Sequence, residues 1–116
     1  MTNTLLGSLL TAALITISSG ATAESYKRHC SYFNYTTNES YEGACTEVEL
    51  PSAELPFKRE YRFKKKVVRV TILQSAGIWA SIELNGKPGM RYEIDRANFS
   101  YSSRDLSETL DTGSPK

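Results

Sequence analysis

Histidine and cysteine are scarce in this chain. Its 116 residues hold one His and two Cys. That set cannot fill a four-ligand zinc site without carboxylates. No C-x-x-C, P-loop, G-x-G-x-x-G or G-x-S-x-G occurs, so redox, nucleotide and nucleophile-elbow signatures are missing. His29 is the only imidazole, so a Ser-His-Asp centre would have to use it. An excess of one charge is also missing: 14 Lys and Arg face 13 Asp and Glu, a formal charge of +1. That is no whole-molecule footprint for nucleic acid. Apolar runs are short. The longest, Leu5–Ile17, is interrupted by Gly7, Ser8, Thr11 and Thr16, and it falls short of the ~20 residues that a membrane helix needs.

What is present begins with a leader. Met1–Ala23 carries no charged side chain, and its apolar run leads through Ser18-Ser19-Gly20 to Ala21-Thr22-Ala23. Small residues in an A-x-A pattern suit a signal peptidase. The segment reads as a secretory signal peptide cut after Ala23, with an n-region that lacks Lys and Arg. Removing 23 residues from 116 leaves a mature chain of 93, exported to a periplasm or secreted, with no stable membrane span. We expect three parts: a signal peptide over 1–23, one β domain over 24–110 and a disordered tail over 111–116.

In an exported chain, Cys30 and Cys45 most simply form a disulfide. Closing a loop of this length is worth roughly 3 kcal/mol in the chain-entropy model. The enclosed segment holds Asn34, Thr36, Thr37, Asn38 and Gly43, and it reads as a hairpin with a polar tip. His29 and Cys30 are neighbours, so a strand points them to opposite faces. The composition implies neither a metal nor a cofactor.

Alternation favours strands over helices. Ile78, Ala80, Ile82 and Leu84 alternate with polar positions, as do Met90, Tyr92 and Ile94. A five-residue turn over Asn85–Gly89 would pair Leu84 with Met90 and put both sets on one face. A second hairpin spans Phe57–Phe63 and Lys66–Leu73, and a two-residue turn at Lys64-Lys65 would pair Tyr61 with Val68 and Phe57 with Ile72. Cys45–Leu50 is a further strand, and Ala97–Tyr101 a last edge strand. Ser102 with Asp105 is a weak capping box, and Leu106 and Leu110 at i, i+4 predict a short C-terminal helix that covers Trp79. The expected fold is mainly β: a small antiparallel sheet, barrel-like or sandwich domain of about five to six strands, with one short C-terminal helix and one disulfide.

The densest chemical feature is basic. Lys58, Arg62, Lys64, Lys65 and Lys66 lie within nine residues, accompanied by Arg59 and Arg69 and opposed by Glu60 alone. Such a patch holds an anionic partner, either an acidic protein surface or an envelope or extracellular polymer; export disfavours nucleic acid. The competing account is a solvated strand face with Lys guarding an edge. Tyr35, Asn38 and Tyr41 at the disulfide-loop tip are a second candidate recognition surface. Asn34, Asn38 and Asn98 each begin an N-x-S/T triplet and can carry glycans only in a eukaryotic secretory pathway. Size, inferred export and the Cys pair are similar to those of periplasmic lysozyme inhibitors; the S-G-x-x-Y loop motif of that family is absent, so no residue role is carried over. The reading is a non-enzymatic, macromolecule-binding domain. Its alternatives are an inhibitor of an envelope hydrolase such as a lysozyme and, more remotely, a small hydrolase using His29.

Overall fold

A computed structural model describes residues 23–51, 54–95 and 98–115. Eight strands, not the five to six expected, follow one another: β1 (Glu24–Asn34), β2 (Glu39–Glu49), β3 (Phe57–Arg62), β4 (Val67–Ala76), β5 (Trp79–Leu84), β6 (Lys87–Asp95), β7 (Asn98–Ser103) and β8 (Glu108–Gly113). Each pairs antiparallel with the next, and β8 returns to β1, which closes a barrel. Closure pairs every strand on both sides over part of its length; the ends of β1 and β2 beyond those pairings, Glu24–Arg28 and Glu39–Cys45, pair only with each other's strand. Among the described residues there is no helix, so none is long and apolar enough to cross a membrane. The signal-peptide reading falls on residues outside the described ones, except for Ala23.

The period-2 alternation of the strands fills the interior. Tyr32, Tyr61, Val68, Val70, Ile72, Ile82, Leu84, Tyr101 and Leu110 are buried there. Three tyrosines span a lumen that aliphatic side chains alone would leave open. Cys30 and Cys45 are disulfide-bonded and belong to the same core. They sit diagonally across β1 and β2, since Cys30 lies opposite Gly43 and Cys45 opposite Arg28.

The β3–β4 hairpin has the expected register, Tyr61 opposite Val68 and Phe57 opposite Ile72. It closes around Lys64-Lys65 through Phe63 N–H donating to Lys66 O at 2.8 Å. The β5–β6 hairpin does not. Leu84 lies opposite Lys87, Ile82 opposite Gly89 and Ala80 opposite Arg91. Asn85 (φ 51°) and Gly86 (φ 85°) both adopt the left-handed region, which makes a two-residue I′-type turn where five residues were expected. The shift inverts the parity of β6. Gly89 and Arg91 now lie on the inner parity, and Met90, Tyr92 and Ile94 lie outside. Gly89 is required here: a Cβ would overlap the Ser102 carbonyl oxygen on β7.

The C-terminal region also corrects the sequence reading. The expected helix is a β7–β8 hairpin, and β8 runs through Asp111–Gly113, inside the segment expected as a tail. Ser103 and Asp105 organise its turn: Ser107 N–H donates to Asp105 Oδ1 at 3.0 Å and Glu108 N–H to Ser103 Oγ at 3.0 Å. Local side-chain acceptors satisfy the backbone that a helix would otherwise have used. Leu110 enters the core, while Leu106 sits exposed in the turn at φ 63°. β7 is paired on both sides, so Phe99–Tyr101 are no edge; Ala97 lies outside the described residues. With no helix over it, Trp79 is 47% exposed and packs on Tyr92 at 4.8 Å between ring centroids.

Candidate functional site

Three side chains form one row across the outer face of β1, β2 and β3. Lys27 lies opposite Thr46, and Thr46 opposite Arg62. One step towards the β1–β2 turn, His29 lies opposite Ala44. The middle strand contributes the small residues Gly43, Ala44, Cys45 and Thr46, so it forms a low floor. Lys27, Arg28 and His29 wall one side; Arg62, Phe63 and Lys64 wall the other. The groove between them measures about 670 Å³.

The cations around it differ in availability. Arg28 is turned to Glu47, Nε to Oε1 at 3.0 Å, and Glu47 is buried. Arg62 donates to Glu60 Oε1 from Nε at 2.9 Å and from Nη2 at 2.6 Å, and Arg69 Nε reaches Glu60 Oε2 at 3.3 Å. The hydrogen bonds from Arg62, aided by those from Arg69, hold the Glu60 carboxyl below its usual range. His29 Nε2 lies 3.7 Å from Glu42 Oε2. Lys27 and Lys64, one on each wall, are exposed and have no ion pair within 4.0 Å among the described residues. The positive field of the groove comes chiefly from these two, with Arg62 in a shared pair.

Neither a protein-family model, nor a curated protein, nor a solved structure matches the chain. The site therefore rests on its own geometry.

The structure divides the expected basic cluster. Arg62 and Lys64 line the groove. Lys65 is exposed beside it, in a smaller depression with Tyr41, Glu42 and Phe63. Lys58 is exposed towards the other end of β3, near Leu50 and Arg59. Lys66 leaves the patch: its Nζ lies 3.3 Å from Glu39 Oε1 and 5.3 Å from the Tyr32 ring centroid. The loop-tip set divides as well. Tyr35 is exposed, and its ring meets Phe33 edge-on at 4.3 Å. Asn38 holds φ 63° and closes the turn, its N–H donating to Asn34 O at 2.8 Å. Tyr41 is withdrawn against the core, 5.8 Å from Phe63 between centroids, with its hydroxyl on Glu39.

Two polar features escaped the sequence reading. Glu108 is buried at the turn end of the barrel, where its Oε1 accepts from the Tyr32 hydroxyl and from Asn85 Nδ2, both at 2.7 Å. Lys87 Nζ lies 3.4 Å from its Oε2. Burial alone would raise the Glu108 carboxyl, but these donors hold it below its usual range. Burial and the bond to Glu108 push the Tyr32 hydroxyl up to about 12. Lys27 is the other omission. It lies far in sequence from the basic run over 58–69, and only the β1–β2–β3 register brings it to Arg62. Among the described residues, no group of three or more His, Cys, Asp or Glu side chains could hold a metal ion.

Proposed function

We propose that the mature chain is an exported, non-enzymatic barrel that binds an anionic segment of an envelope or extracellular macromolecule in the Lys27–Thr46–Arg62 groove. One observation carries the reading: two exposed, unpaired lysines, Lys27 and Lys64, stand on opposite walls of a trough of about 670 Å³ floored by small residues, with Lys27 across from Arg62. A low floor admits a chain-like ligand, and opposed cations match carboxylates or sulfates along it. Convergent charge raises local counter-ion concentration even when the net charge is near zero. The test is fluorescence anisotropy with labelled polyglutamate and with a sulfated oligosaccharide, at low salt and at ~0.15 M salt. Saturable binding to at least one probe that weakens with salt is expected. No binding to either at low salt contradicts the reading.

The β1–β2 turn favours a second reading, inhibition of an envelope hydrolase by insertion of the tip. Asn34 Oδ1 accepts from Thr36 N at 2.9 Å and Thr37 N at 3.1 Å, and Tyr35 N–H donates to Ser107 O at 2.7 Å. This fixes the Tyr35 backbone before any contact, with its exposed ring edge-on to Phe33, which lowers the ordering cost of entering a cleft. Inhibition of a muramidase by the purified protein, lost in Tyr35→Ala, is the expected outcome of this reading; no inhibition across a panel of muramidases and proteases removes it.

A further inference from the structure

In a ring of eight strands, β6 lies diametrically opposite β2 and its groove. The inverted parity of β6 turns Met90, Tyr92 and Ile94 outward, and all three are exposed. Neighbouring elements extend the same apolar face. Leu73 bulges from β4 between the pairs Ile72–Ile82 and Gln74–Ser81. Trp79 stacks on Tyr92, Ile78 O accepts from Glu93 N at 2.8 Å, and Leu106 is 68% exposed in the β7–β8 turn.

The face has two halves of opposite relief. Leu73, Trp79, Met90 and Leu106 line a groove of about 530 Å³ whose floor includes the small residues Ser81, Gly89 and Ser102. Ile78, Tyr92 and Ile94 stand beside it, towards the other end of β6, and do not line it. We propose that this face is the interface of a two-fold dimer of the barrel. An isologous interface needs a patch that is complementary to itself. A two-fold axis near Trp79 exchanges the ends of the patch and seats each protomer's Tyr92–Ile94 ridge in its partner's groove.

Area supports a second copy as the occupant. Seven large apolar side chains, each presenting roughly 100 Å² when about half exposed, make a patch on the order of 700 Å². The largest apolar patch of a typical monomer is about 300–600 Å², and each half of a standard interface is about 800 Å². On this face β4, β5 and β6 are each paired on both sides, so association here falls to side chains. In such a dimer the two basic grooves point away from each other, and one anionic polymer that reaches both gains avidity.

The test is the mass of the purified protein by light scattering, from about 1 to 200 µM near physiological salt. We expect a mass that doubles with concentration, accompanied by a blue shift of Trp79 emission. Tyr92→Arg puts like charges near the two-fold axis and Met90→Ser removes the groove wall; both should stay monomeric with the circular dichroism of the parent. A parent that remains monomeric across the whole range overturns the proposal, whether or not it captures lipid vesicles. So does a folded Tyr92→Arg protein that still dimerises. Anionic probe binding is read in the same samples, so a monomer that binds the probes removes the dimer and leaves the groove reading intact.

Discussion

The hydroxyls of Tyr61 and Tyr101 meet 2.6 Å apart inside the barrel. Arg59 Nη1 also donates to the Tyr101 oxygen, at 3.3 Å, and Arg59 Nη2 lies 3.1 Å from Glu49 Oε2. Tyr101 is thus the joint between an uncharged pair and an ion pair. Burial raises both phenols above their usual value, so both stay protonated well past neutrality. Tyr101→Phe would leave the Tyr61 hydroxyl buried and without this partner. We expect a cost of about 1–3 kcal/mol, read by urea denaturation. Tyr61→Phe should cost less, because Arg59 still engages Tyr101. An equal cost for the two variants would contradict this network.

Glu108 sets an acid limit on stability. Its folded pKa lies below the unfolded value, so its contribution is complete above the unfolded pKa of about 4.3 and is lost as pH falls through the folded one. Glu108→Gln keeps the shape and removes the charge. We expect a stability loss of about 1–3 kcal/mol at pH 7, read as a lower thermal midpoint, and a shallower loss between about pH 5 and pH 3. Parallel pH curves for the two proteins would mean that Glu108 carries no such linkage.

Two glycines of the β5–β6 hairpin should fail for different reasons. Gly86 faces open space but holds φ 85°, so Gly86→Ala strains the backbone by about 1–2 kcal/mol. At Gly89 the obstacle is the Ser102 carbonyl, so Gly89→Ala must part β6 from β7. A cost of about 3 kcal/mol or more is expected, with the faster amide exchange concentrated in β6 and β7. A neutral Gly89→Ala would argue against this close approach.

The same hairpin marks the limit of what could be read in the sequence. For β3 and β4, the parity of Tyr61 and Val68 allowed one register that joined their apolar faces, and the barrel uses it. For β5 and β6, apolar parity and turn chemistry disagreed. Putting Met90, Tyr92 and Ile94 inside required a five-residue turn, whereas Asn85-Gly86 favours the two-residue form, and the turn prevailed. Arg91 is turned inside as a result, with its guanidinium 4.7 Å from the Phe99 ring centroid and its buried Nε without a hydrogen-bond partner among the described residues. The helical spacing of Leu106 and Leu110 lost to the turn built on Ser103 and Asp105. The groove was legible by half. Arg62 and Lys64 sit in a visible basic run, but Lys27 joins them through non-local pairing alone.

Whether the paired walls, rather than net charge, hold an anion is decided by charge-matched variants. Lys27→Gln with Lys64→Gln removes one cation from each wall of the groove. Lys58→Gln with Lys65→Gln removes the same net charge from outside it. The measurement is the dissociation constant for the anionic probe that the parent binds best, at ~0.15 M salt. A loss of about tenfold or more is expected for the groove pair, equivalent to about 1.4 kcal/mol, and less than about threefold for the outer pair. Equal losses in the two variants would show that binding follows net charge and that the groove is not the binding site.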